Sequence, residues 1–137
     1  MRLGRYLSRL SPWTVLAVCG CAALVVVDYW RGQGPTALPL VRGVLPNLVA
    51  VPTLAFGFLM LRFPERQRFD APVAAQQDRY FWGFWMAATV GTIAWEFAQL
   101  TGNLVFDPLD IAATLAGAAV AAGLFRMLRN VAFIEAE

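Results

Sequence analysis

The sequence predicts an all-α integral membrane protein, a four-helix bundle forming one domain over residues 1–137 with both termini in the cytoplasm. Three observations carry this prediction. Apolar residues make up 59% of the chain and charged residues only 15%, with a mean hydropathy of +0.58, more apolar than soluble domains usually are. The apolar residues gather into four runs, 13–30, 44–61, 81–100 and 109–125. Each is close to the roughly 17–25 residues that a helix needs to cross the hydrocarbon core of a bilayer. Finally, all eleven basic residues are arginine, and they segregate. Arg2, Arg5 and Arg9 precede the first run, Arg62, Arg66, Arg68 and Arg79 lie between the second and third, and Arg126 and Arg129 follow the fourth, whereas only Arg31 and Arg42 fall in the opposite loops. The positive-inside rule then puts the termini in the cytoplasm and segments 31–43 and 101–108 outside.

The first run follows three arginines and so resembles a secretory signal, and Val18-Cys19-Gly20-Cys21 resembles a lipoprotein cleavage site. Ala22 to Val27 continue the apolar run where a cleaved lipoprotein turns polar, so a retained first helix is expected. Cys19 and Cys21, two residues apart, point to different helix faces, cannot clamp one metal and read as buried packing residues. Segment 31–43 contains Gly32, Gly34, Pro35, Pro39 and Gly43 and is expected to be a turn-rich cap. In the second helix Pro46 sits near the start, where a missing N–H is harmless. Pro52 lies inside, where it should kink the helix and open a small polar cavity beside Asn47. Segment 62–79, with Pro64, Pro72 and mixed charges, reads as a solvated connector. Tyr29, Trp30, Tyr80, Phe81, Trp82 and Trp85 cluster at run ends as interfacial anchors. In the fourth helix Ala113, Gly117 and Ala121 recur at four-residue steps, with Ala119 and Gly123 in parallel. Such small residues let helices approach closely in lipid, and the third helix is the expected partner.

The most informative polar residues lie in the second half. Thr89, Thr92, Glu96, Gln99 and Asn103 follow steps of three and four on the third helix, so they share one face. Asp110, Thr114 and Gly117 do the same on the fourth, and a tight turn should bring the two stripes together near the outer surface. Glu96 lies four residues before Leu100, about 6 Å inside the helix end. An acid at membrane depth is costly and marks a functional site. It is either ionised, with Arg31 and Arg42 as candidate counter-charges, or protonated in a dry setting. In Asp107-Pro108-Leu109-Asp110 the first acid is expected to cap the helix ahead of a proline at the first position. Asp110 either complements the helix dipole or accepts hydrogen bonds from the facing helix. Gln99 is expected to orient Glu96.

These residues resemble the VanZ-like family of bacterial membrane proteins. The resemblance rests on Glu96-Phe-Ala-Gln99, then Phe106-Asp107-Pro-Leu-Asp110, then Gly117, and covers mainly residues 90–125, with Pro46-Asn47 as a looser echo. The chain departs from the family pattern at Leu104, where arginine is common, and at Thr114, where asparagine is common. The resemblance implies a multi-pass protein of the bacterial inner membrane and cell envelope, of a family associated with resistance to the glycopeptide teicoplanin.

The functional expectation is therefore an outer-leaflet polar cluster of Glu96, Gln99, Asp110, Asp107, Thr92 and Thr114 that binds an amphiphilic or lipid-linked ligand of glycopeptide type. Membrane lipid is the other expected partner. The alternative is a small accessory or scaffold subunit, packed into a homo-oligomer or larger membrane complex through its glycine and alanine faces. Enzymatic activity is not expected. The chain has no histidine, no lysine and no serine beyond Ser8 and Ser11, which removes serine nucleophiles and histidine metal sites near the acids and leaves only carboxylate chemistry. No cofactor, metal or nucleic acid is expected, the net charge of +2 reflecting topology.

Overall fold

The computed structural model describes residues 9–32, 39–100 and 107–134, the side chains of 39–42 and 134 excepted. Four long helices dominate: α1 (Pro12–Gly32), α2 (Pro39–Arg62), α3 (Ala71–Gln99) and α4 (Pro108–Leu128), with a 3-10 turn at Arg129–Ala132. Three segments, Pro12–Gly32, Gly43–Arg62 and Pro108–Ala132, are long and apolar enough to cross a membrane. α3 is the longest helix but is diluted by Gln76, Gln77, Asp78 and Arg79 at one end and by Glu96 and Gln99 at the other.

Each boundary has a local cause. α1 starts at Pro12, behind Ser11, whose backbone carbonyl accepts from Thr14 N at 3.1 Å and whose hydroxyl accepts from the same N–H at 3.3 Å. α3 begins ten residues before the expected run. Pro72, read as part of a connector, is instead a first-turn proline, where its absent N–H costs nothing, and Asp70 is the extended residue ahead of it. The solvated connector is correspondingly short. α4 starts at Pro108 behind Asp107, whose carboxylate accepts from Leu109 N at 2.9 Å, the cap expected there.

α2 is the central helix, packed against α1, α3 and α4. At one end of the bundle the filling is aromatic. Phe81 of α3 stacks on Phe125 of α4 with centroids 3.8 Å apart, and Trp13 of α1 lies 5.2 Å from Phe125 and 5.9 Å from Phe56 of α2. All four rings are essentially fully buried. The chain segments around them are tied together. Ser11 Oγ donates to the Phe63 carbonyl at 2.7 Å, Thr14 Oγ1 to that of Pro64 at 2.7 Å, and Arg129 pairs with Asp78 at 2.8 Å. A two-residue parallel strand pair joins Gln67–Arg68 to Phe133–Ile134.

The small-residue contacts lie elsewhere than expected. α4 packs more extensively on α2 than on α3, so the main partner of its Gly117 face is the second helix and not the third. The reason is chemical. Pro52 has no N–H to give the Leu48 carbonyl, which in an unbroken helix would be its acceptor. Gly117 sits directly against that carbonyl, with its Cβ position only 3.0 Å from the Leu48 carbonyl carbon. Any side chain there would strike the oxygen, whereas a glycine lets the α4 backbone approach and cover the freed acceptor. Ala113, Thr114, Ala118 and Ala121 continue the buried face. A second close approach joins α1 to α2, where Gly20 meets Thr53. Cys19 and Cys21 are exposed free thiols rather than the expected buried packing residues, because α1 packs chiefly on α2 and leaves its other faces uncovered.

Candidate functional site

Glu96 lies one turn from the end of α3 and is only 2% exposed. Two amides from different helices hold its carboxyl. Gln99, three residues later on the same helix face, donates Nε2–H to Oε2 at 2.9 Å, and Asn47 of α2 donates Nδ2–H to Oε1 at a longer 3.4 Å. The carboxyl groups of Asp110 and Asp107, at the start of α4, lie within electrostatic range of Glu96. The site is thus built from the third turn of α2, the first turn of α4 and the last turn of α3.

Asp110 is half-buried, and its Oδ1 is shielded from solvent with no hydrogen-bond partner among the described residues. A buried acceptor without a donor is uncommon and costly, so among the described residues this oxygen is an open acceptor near Glu96. The threonines offer it nothing. Thr114 is fully buried and donates to the backbone carbonyl of Asp110 at 2.9 Å. Thr89 and Thr92 donate to the carbonyls of Trp85 and Ala88 at 2.8 and 2.9 Å. Each of these hydroxyls is satisfied four residues back on its own helix, the usual solution where water is scarce. The polar stripe therefore narrows to carboxyls and amides.

Beside the site, α2 and α3 leave a groove of about 520 Å³, lined by Asn47, Ala50, Leu54 and Phe58 from α2 and by Ala87, Ala88, Gly91, Thr92 and Trp95 from α3. The sequence leads one to expect a small polar cavity beside Asn47, whereas this groove is lined mostly by apolar side chains. Asn47 belongs to both features: its side chain lines the groove and its amide reaches Glu96.

Of the residues singled out from sequence, Glu96, Gln99, Asp107, Asp110 and Thr114 converge, whereas Thr92 lies in the groove wall. Gly117 and Ala121 are packing residues of the α2–α4 contact and the aromatic core, respectively. Arg31 is exposed at the end of α1. The side chain of Arg42 and all of Asn103 fall outside the described residues. Asn47 is the site residue missing from the sequence-based set, although it is the single amide in the apolar run 44–61, as Glu96 is the single acid in the run 81–100. Among the described residues no group of three or more His, Cys, Asp or Glu side chains is arranged to hold a metal ion. Chemically, the site offers carboxyl oxygens oriented by amides, suited to receiving hydrogen-bond donors or a cation.

Comparison with known proteins adds no relative. No family model, curated protein or solved structure matches the chain.

Proposed function

We propose that the chain is a VanZ-like, four-span protein of the bacterial inner membrane, with cytoplasmic termini, whose Glu96 cluster recognises an amphiphilic or lipid-linked ligand at the outer leaflet. The observation that carries this reading is the buried Glu96 carboxyl held by Asn47 and Gln99, beside an Asp110 oxygen that has no donor among the described residues. Acids at membrane depth are rarely retained for stability and mark binding or transfer sites. Crossing of the membrane by α3 is part of the proposal: its Glu96 end would reach the outer leaflet while Asp78 and Arg79 lie among the cytoplasmic arginines. The role proposed is recognition; Ser11, whose hydroxyl donates to the Phe63 carbonyl at the far end of the bundle, places no nucleophile beside the acids.

The test is expression in a teicoplanin-sensitive bacterium. Wild-type protein should raise the inhibitory concentration, and Glu96→Ala should abolish that rise while inserting into membranes at the same level. Equal protection by the variant would sink the assignment of Glu96 to the ligand.

A second reading, an accessory subunit of a membrane complex, is favoured by the outer face of α4. Ala116, Ala119 and Gly123 are exposed there, and a Cβ at Gly123 meets nothing within 4 Å. A partner helix could approach that face closely. Stoichiometric recovery of a larger partner after gentle detergent extraction would favour this reading, whereas a lone monomer or homodimer would count against it.

A further inference from the structure

The arginines at the α3–α4 seam are not matched by acids. Arg129, at the end of α4, takes up Asp78 of α3 at 2.8 Å. Arg126, one turn earlier, lies instead over an aromatic ring, its Cζ 5.5 Å from the centre of Trp82. Arg79 stands three residues before Trp82, a step that places both on one side of α3. Arg79 and Arg126 are exposed, and neither is paired with an acid among the described residues. Trp82 is itself fixed, packed edge-on against Phe81, Trp85 and Phe125. The ring therefore holds Arg126 in place without neutralising it.

Such a guanidinium favours an anion. Stacking on a ring uses the face of the group and leaves its edge donors free for a phosphate, which they can hold in two parallel bonds. The neighbouring side chains decide the source of that anion. Arg126 falls within Pro108–Ala132, a segment apolar enough to cross a membrane, and Met127 beside it is exposed. On α3, Arg79, Met86 and Val90 follow steps of seven and four, so one outward face passes from charge to exposed apolar side chains. An exposed apolar face that ends in unpaired arginine matches the boundary of a bilayer, where phosphates stand above hydrocarbon. The anion supplied at that level is the phosphate of a lipid.

We infer that the α3–α4 seam binds the phosphate headgroup of an anionic phospholipid, with Arg126 and Arg79 as donors and Trp82 as the platform that positions Arg126. The site is separate from Glu96, which lies at the opposite end of α3, and stands without the recognition role given to that residue. The other flank of α3 supplies a comparison. Tyr80 and Trp82, two residues apart, project to opposite sides of the helix, and Arg62 lies over Tyr80 with its Cζ 5.7 Å from the ring centre. One turn from Tyr80 along α3 stand Gln76, Gln77, Gly83 and Phe84, so α3 adds no second guanidinium on that flank.

The experiment places the full chain in phosphatidylcholine nanodiscs with increasing fractions of phosphatidylglycerol brominated in its acyl chains, and uses brominated phosphatidylcholine as the neutral probe. Quenching of Trp82 is followed by difference from Trp82→Phe. The anionic lipid is expected to half-quench Trp82 at about tenfold lower mole fraction than the neutral one. Arg79→Gln and Arg126→Gln should each lower that preference several-fold, and together they should bring the two lipids level. Unchanged thermal unfolding shows that these variants have folded. Arg62→Gln, on the other flank, should keep the preference. Equal quenching by the two lipids in the wild-type protein overturns the proposal. So does a preference that survives in the folded double variant. Loss of the preference in folded Arg62→Gln marks a diffuse surface charge and also overturns the seam. Displacement of the anionic lipid by inorganic phosphate, but not by chloride of equal ionic strength, assigns the seam to a soluble anion and overturns the lipid.

Discussion

The two ends of the helix bundle are held by different means. At the arginine-rich end, Trp13, Phe56, Phe81 and Phe125 fill the space between all four helices, and backbone and side-chain bonds from Ser11 and Thr14 fasten the chain around them. At the Glu96 end the helices meet through small and polar groups: Gly117 on the Leu48 carbonyl, Thr114 beneath Asp110, and two amides on a carboxyl. At the first end the stacked rings fill the space between the helices. At the second, small residues bring backbones together, and Asp110 Oδ1 has no donor among the described residues. One end of the molecule is closed by packed rings, and the other holds a buried carboxyl and an acceptor with no donor among the described residues.

The largest effect is expected at the aromatic end. Phe125→Ala removes the ring that contacts Trp13, Phe81 and Trp82, and should lower unfolding free energy by about 3–5 kcal/mol. Denaturation in detergent would measure it. If the division between the ends is right, the folded fraction of this variant should keep its ligand response.

Gly117→Leu should come next. Its side chain collides with the Leu48 carbonyl, so α4 must withdraw from α2 and carry Asp110 away from Glu96. A loss of about 1–3 kcal/mol is expected from the overpacking, together with loss of ligand response. A folded Gly117→Leu with normal response would show that α4 is not part of the site.

Asp107→Ala removes the α4 cap and should cost about 1 kcal/mol, visible as a lower unfolding midpoint. Asp107→Ser restores a capping oxygen and should recover most of that loss. If serine restores stability without restoring ligand response, Asp107 contributes charge as well as a cap. The smallest effect is expected at the Arg129–Asp78 pair, whose side chains remain 45% and 30% exposed. Arg129→Ala should cost less than about 1 kcal/mol, and less still at high salt.

Much of this division is legible in the sequence because it is local. Apolar run lengths mark most of the helices, Asp107-Pro108 marks a helix start, and the three-residue step from Glu96 to Gln99 places both on one face. What escapes is the docking of helices. The partnership of Pro52 with Gly117 joins residues far apart in the chain, through a carbonyl that only becomes available because a proline stands four residues later. No periodicity encodes it. Asn47 joins Glu96 for the same reason: α2 is central, and its amide reaches α3 only once the helices are packed. The early start of α3 escapes because a proline reads equally as a breaker or as a first-turn residue until its neighbours are seen.

The central claim is that Glu96 serves recognition and not architecture. Its most direct test is the unfolding free energy of Glu96→Gln, a near-isosteric change that removes the acid and turns one of its two accepting oxygens into a donor, which the Asn47 or Gln99 amide meets by turning its own oxygen towards it. A loss of no more than about 1 kcal/mol, the scale of a single hydrogen bond, is the predicted result. A loss of about 3 kcal/mol or more, on the scale of Phe125→Ala, would make Glu96 a structural element and contradict the account.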